Sequence, residues 1–132
     1  MHTRQGRRTR GAQIEGPLAG VRFDESTGRL WAAAGNPPRL VSVDAETLRL
    51  SRPILLPSRP IQFDIAAGGS LGAATVESGE VVFVDLAGGR LTGMVSLRSA
   101  LGGVRFRSDG KAVIAADLDR RLVCIIDPSR RR

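Results

Sequence analysis

The chain of 132 residues contains no Tyr, one Trp (Trp31), one Cys (Cys124), one His (His2) and one Lys (Lys111). Each scarcity removes a class of function. A single Cys cannot form an internal disulfide, and one Cys with one His cannot build the usual zinc or haem sites. No Cys-x-x-Cys-His stretch exists to attach a c-type haem. A Ser-His-Asp arrangement would have to recruit His2, and no His stands near Cys124 in sequence to activate it. Cys124 lies inside an apolar run and is expected to be a buried small hydrophobe. No Gly-x-Gly-x-x-Gly opens a helix, and Leu101-Gly102-Gly103 leads into a strand, so no phosphate-cradling loop is expected. Asp109-Gly110 and Asp117-x-Asp119 lack the run of oxygen ligands and the closing Glu of a calcium loop. The expectation is therefore no catalytic residue, no cofactor and no metal ligand within the chain. No stretch reaches the ~18 consecutive apolar residues of a membrane helix, and no apolar run follows the first basic residues as a secretory leader requires. A cytoplasmic protein without membrane contact is expected.

The formal net charge is +7, and it is unevenly placed. Residues 1–10 carry Arg4, Arg7, Arg8 and Arg10 and no acid, and residues 130–132 are three Arg. Residues 11–129 hold the remaining 13 basic residues against 13 acidic ones, so the body is neutral. Residues 1–12 and 129–132 are expected to be basic tails, the first disordered. Such tails attract phosphate through counterion release without reading sequence. Nucleic acid is thus expected only as a weak partner of the Arg tails, because the neutral, aromatic-poor body offers little for base stacking.

What the chain does contain is a repeat. Phe23, Phe63 and Phe106 are spaced 40 and 43 residues apart, and Asp44, Asp85 and Asp127 are spaced 41 and 42 apart. Two independent markers keep one period. Within the third unit, Val104 and Phe106 alternate with Arg105 and Arg107, the period of a half-buried strand. Ser108-Asp109-Gly110-Lys111 is a tight turn. Ala112 to Ala116 is small and apolar, as a strand buried on both faces would be, and Asp117-Leu118-Asp119-Arg120 is a loop. Leu122 to Ile126 is a continuous apolar run that Asp127-Pro128 ends. The first two units repeat this pattern with turns at Ser26-Thr27-Gly28 and Ala67-Gly68-Gly69. A fourth, more variable strand is expected over Leu48 to Leu56, interrupted by Pro53, and over Leu91 to Leu97. Each of the repeated Asp residues is expected to accept backbone N–H groups just past its strand, in an Asx-type turn.

Four strands every 40-odd residues without helical periodicity are the signature of propeller blades. The fold class is therefore all-β, a β-propeller arc of about three four-stranded antiparallel blades. The third unit resembles a YVTN-type β-propeller repeat, in which a Pro-Asp-Gly-Lys turn leads to a Tyr-Val-Thr/Ala-Asn strand and then a Val-Ile-Asp strand. Here Ile114 stands at the Tyr and Asp117 at the Asn. The units also resemble WD-type repeats in closing the third strand with a hydrophobic-Asp pair, with Val43, Val84 and Ile126 in place of Trp and no Gly-His dipeptide. The resemblance covers residues 20–131. It implies a fold shared by lactonases, redox-enzyme shells, surface proteins and interaction platforms, so it does not select a function.

Three blades do not close a ring, which takes about four to eight. The propeller repeats are expected over residues 13–128: a stray outer strand at 13–18, blade 1 at 19–57, blade 2 at 58–99, and blade 3 at 100–128 without its outer strand. That offset fits a fragment of a larger propeller. It also fits a head-to-tail homodimer, in which each leading strand completes the partner's last blade as a six-bladed ring. The loops joining second to third strands, together with the blade entries, should gather at one end. Arg39, Arg59, Glu77, Arg98, Asp117, Asp119 and Arg120 fall there, a mixed-charge face suited to a protein or peptide partner. The functional expectation is a non-enzymatic repeat module acting as an interaction or structural scaffold. The alternative is part of a propeller enzyme shell, lactonase-like or redox, whose catalytic residues lie outside this chain.

Overall fold

The computed structural model describes residues 10–129. Positions 1–9 and 130–132, with His2, most of the tail Arg residues and the nucleic-acid expectation built on them, lie outside the described residues. Eleven strands form three antiparallel meanders, each running in chain order from one edge to the other. The first sheet contains β1 (Leu18–Asp24), β2 (Arg29–Ala34), β3 (Arg39–Asp44) and β4 (Ile54–Leu55). The second contains β5 (Pro60–Ile65), β6 (Leu71–Val76), β7 (Glu80–Asp85) and β8 (Arg90–Ser96). The third contains β9 (Leu101–Phe106), β10 (Val113–Asp117) and β11 (Leu122–Ile126). This is an all-β arc of three propeller blades, two of four strands and one of three.

The blades stack through their apolar faces. Residues opposite one another across the ladder share a face, so the register sorts each strand into two sets. In the first sheet Ala33 pairs with Leu40, and both turn toward the second sheet. There they meet Phe63, Val76, Val82 and Val84. The opposite face of the second sheet carries Ala73, Val81 and Phe83, which pack on Leu101, Val104, Val113 and Ile126 of the third. At the first junction the Phe63 ring lies over Gly20, at ordinary contact distance (3.7 Å) from where a side chain would begin.

Polar groups tie the inner strands together. The Asp64 carboxylate on β5 accepts from Arg22 Nε of β1 at 3.3 Å and from the Phe106 N–H of β9 at 2.8 Å. Arg105 Nη1 stands 3.9 Å from the same group. One side chain thus links all three blades. The Thr75 hydroxyl adds a second link, donating to the Gly102 carbonyl at 2.8 Å.

The two outward faces differ from the inner junctions. Phe63 is 1% exposed, whereas Phe23, at the same repeat position, is 53% exposed on the free face of the first sheet beside Val21. On the third sheet Ile114, Val123 and Ile125 are exposed, Ile125 at 74%. The run Ala112 to Ala116 is accordingly buried on one face only, because Ile114 points away from the second blade. Cys124 is half-buried rather than buried, since it lies on the edge strand β11.

Two strand expectations fail for local reasons. The outer strand expected over Leu48 to Leu56 shrinks to β4 and a single bridge from Leu50 to Val43. Leu48 takes a φ of 62°, and Pro53 has no N–H for a ladder. In their place the Ser51 hydroxyl accepts the Ser42 N–H at 2.9 Å. The strand expected at 13–18 is strand only at Leu18. Gly16 turns with a φ of 89°, and Pro17 has no N–H. The segment instead follows the first blade, where Glu15 and Glu46 carbonyls accept from Arg39 and Arg10 respectively.

Candidate functional site

Because every sheet is a meander, the β2–β3, β6–β7 and β10–β11 loops lie at the end where β1, β5 and β9 begin. One backbone bond recurs in each blade there. The Gly35 N–H donates to Pro17 O at 2.9 Å, Glu77 N–H to Arg59 O at 2.8 Å, and Leu118 N–H to Ala100 O at 2.8 Å. Each loop is thereby fixed to the entry of its own blade. Adjacent blades also touch: the Arg59 stem lies against Gly35, and Gly79, at a φ of 94°, lies against the Ser99 backbone. The seven expected residues all lie at this end of the blades, but they do not have equal roles there.

Arg39 acts as a clamp. Its guanidinium donates to Gly35 O at 3.0 Å, Pro37 O at 2.9 Å and Glu15 O at 2.7 Å, which occupies most of its donors. Asp117 departs from the exposed loop position expected of it. It closes β10, is 1% exposed, and accepts from the Ser99 hydroxyl and from the Arg120 N–H at 3.0 Å. The Ser99 hydrogen bond is the main cause holding its carboxyl below the ordinary aspartate value, with the Arg120 N–H next. Asp119 accepts the Ala100 N–H at 2.9 Å and so also builds the loop. These two carboxylates, expected to face a partner, are instead taken up by the Ser99 hydroxyl and by backbone N–H groups.

The remaining four face solvent. Arg59 and Glu77 form an exposed ion pair at 2.8 Å, which contributes about 0–1 kcal/mol to stability. Arg98 takes a φ of 52°, with its N–H on Gly79 O at 3.2 Å. The Arg120 guanidinium stands 3.7 Å from Asp117 and is more than half exposed. A cavity of about 230 Å³ opens between the first two blades here, lined by Pro17, Leu18, Gly35, Arg59 and Ile61. The chemistry available is hydrogen bonding and charge of both signs around a small apolar recess. Among the described residues no three His, Cys, Asp or Glu side chains converge as metal ligands would.

At the opposite end the repeated carboxylates serve turns, as expected. Asp44 accepts the Glu46 and Thr47 N–H groups at 2.9 Å each, Asp85 the Gly88 N–H at 2.9 Å, and Asp127 the Ser129 N–H at 2.9 Å. Sequence reasoning missed Asp24 and Asp64, although each directly follows a repeat Phe. Burial alone would raise the Asp24 carboxyl, but hydrogen bonds from Ser26 and Thr27 outweigh it and hold the group below its ordinary value.

Comparison with known proteins bears on the fold. No family model matches the chain, and neither does any curated protein. Solved structures do. Kuenenia stuttgartiensis hydrazine synthase matches with a TM-score of 0.77 and 17% identity, over 93% of this chain and 37% of that one. The Cps50 (Swd1) β-propeller domain of Myceliophteria thermophila matches with a TM-score of 0.71 and 17% identity, over 87% of this chain and 40% of that one. Such identities show the fold alone, and this chain spans less than half the length of either structure. Among the described residues no helix is long and apolar enough to cross a membrane.

Proposed function

We propose that the chain is a non-enzymatic propeller repeat module of the YVTN or WD-like kind, a protein-interaction or structural scaffold working in the cytoplasm as part of a larger ring. The carrying observation is the contrast between faces. Apolar positions buried at the two inner junctions are exposed where the arc meets solvent, with Phe23 on one side and Val123 and Ile125 on the other. Blades bury these faces only against neighbours, and exposed apolar patches of this kind mark an interface. Further blades of a longer polypeptide supply that cover in the fragment reading. In the homodimer reading a second copy supplies it head-to-tail. Gly20-Val21-Arg22-Phe23 recurs as Gly103-Val104-Arg105-Phe106. Gly20 already seats Phe63, and nothing lies within 4 Å of where a Gly103 side chain would stand. The partner's Phe23 fits that seat. In either ring the exposed loop residues Arg59, Glu77, Arg98 and Arg120 face a protein or peptide partner.

Light scattering on the purified chain tests the proposal. The expected result is self-association, a closed dimer in the homodimer reading, which Phe23→Lys reduces to monomer. A stable monomer that binds no apolar dye overturns the exposed-face argument. The second reading, a segment of an enzyme shell with catalytic groups elsewhere, draws support from the likeness to hydrazine synthase. Further repeats in the flanking coding sequence, alongside catalytic activity of the complete product, would favour it.

A further inference from the structure

A cleft of about 420 Å³ lies between the first two blades, away from the loop face. It exists because the first blade lacks a regular outer strand. In the second blade β8 pairs along the whole of β7, from Glu80 opposite Ser96 to Asp85 opposite Arg90. In the first blade β4 pairs with only Arg39 and Leu40, and Arg49 to Ser51 rejoin β3 at Ser42 to Asp44, so the outer segment is broken at Arg52 and Pro53. Trp31, Ile54 and Leu86 form an apolar wall in the space beside it. Arg29 and Arg52 line the same cleft, with the Ser51 hydroxyl nearby. The Arg29 guanidinium is held in place: its Nε donates to Ser42 Oγ at 2.8 Å, and its Nη1 stands 3.8 Å from Asp44. Nη2 of Arg29 makes no hydrogen bond among the described residues. The Arg52 side chain has no hydrogen bond or ion pair among the described residues. The one carboxylate in the lining, Asp24, stays charged but is held by the Ser26 and Thr27 donors, so two guanidinium groups face one carboxylate in the cleft.

We infer that this cleft binds a carboxylate carried on an apolar group, such as an N-acylated aliphatic amino acid or a peptide ending in one. Arginine recognises carboxylate through parallel N–H donors. A volume of this size with an apolar wall and few convergent polar groups suits a small ligand. The cleft neither uses the loop face nor depends on how the ring is completed. Its two guanidinium groups and its indole belong to the first blade, while Leu86 to Gly89 of the second blade close the other side.

Trp31 is the only Trp, so its fluorescence reports the cleft directly. The full chain is titrated with N-acetyl-leucine, with a hexapeptide ending in Leu, and with the same hexapeptide as its C-terminal amide. The expected result is a saturable change in Trp31 emission with a free carboxylate and none with the amide. Arg52→Gln weakens the binding about tenfold, whereas Arg121→Gln on the third blade leaves it unchanged. Saturation by N-acetyl-leucine but not by the hexapeptide assigns the site to free acids; saturation by both, with the peptide tighter, assigns it to chain termini. No saturable response to either acid overturns the inference. So does an equal response from the amide, or from Arg52→Gln shown by circular dichroism to be folded.

Discussion

The junction between the first and second blades packs Trp31, Leu40, Ile54 and Phe63, and leaves a cleft beside them. The junction between the second and third packs Phe83, Val81, Val104 and Val113, with Thr75 and Asp64 bonded across it. Leu40 and Val81, each four residues before the repeat Asp, hold the same place at the two junctions. The junctions differ in the outer strand on their earlier side: β8 runs seven residues, whereas β4 runs two and follows Pro53. The inner strands therefore determine that blades stack, and the outer strand determines how completely they close. The large residues Trp31 and Phe63 compensate partly at the looser junction, which makes Phe63→Ala the most severe way to break the comparison. Truncating a fully buried Phe costs about 3–5 kcal/mol, and the effect should appear as a lower midpoint in denaturant unfolding. Phe23→Ala, at the same repeat position on the free face, should cost much less in the monomer. Equal losses would mean that the two faces are not differently covered.

Asp64 joins the two junctions, so its loss should affect both. Asp64→Ala leaves the Phe106 N–H without its acceptor and Arg22 without its carboxylate, a loss of about 1–3 kcal/mol. Arg22→Ala removes only the contact to the first blade and should cost less. A double-mutant cycle in thermal unfolding separates the two contributions; a coupling of zero would show that the Arg22 contact stabilises nothing.

Period and turns were legible in the sequence because they depend on local chemistry. Phe23, Phe63 and Phe106 mark equivalent positions, and the Asx turns at Asp44, Asp85 and Asp127 need only their own next few residues. Asp64 was not legible, because its partners lie 42 residues away on either side and nothing local signals them. The loop face was legible as a location but not as a set of roles. Asp117 and Arg120 read alike as loop charges, and only the position of Ser99, from the preceding entry segment, shows that Asp117 is buried as an acceptor. The cleft depends on where an outer strand fails, and Pro53 was visible while the space it leaves was not.

The acid limb sharpens the contrast between buried and exposed charge. The folded-state carboxyls of Asp24 and Asp117 titrate below the unfolded value of 3.8. Their stabilisation is therefore complete above that value and disappears as pH falls through the lower folded values. Asp117→Asn should lower the melting temperature at pH 7 and have less effect at pH 3. A difference from the native chain that is the same at both pH values would mean that the Asp117 charge plays no part. Glu77→Gln, which breaks only the exposed pair with Arg59, should leave both values almost unchanged.

The smallest stability effect tests the cause of the looser junction most directly. Pro53→Val restores a backbone N–H where the outer strand of the first blade fails. A new ladder bond would contribute about 0.5–1.5 kcal/mol, while the greater freedom of the unfolded chain costs about 0.4–1 kcal/mol. Net stability should consequently shift by less than about 1 kcal/mol in either direction. The visible consequence lies elsewhere. A longer β4 would close the break between Ser51 and Ile54, narrow the space beside Trp31 and bring the first junction closer to the second. Amide hydrogen exchange at Arg52 should slow, and the Trp31 response to N-acetyl-leucine should weaken. If exchange slows while the response is unchanged, the cleft owes its shape to the Leu86–Gly89 turn of the second blade, and the difference between the junctions originates there instead of at Pro53.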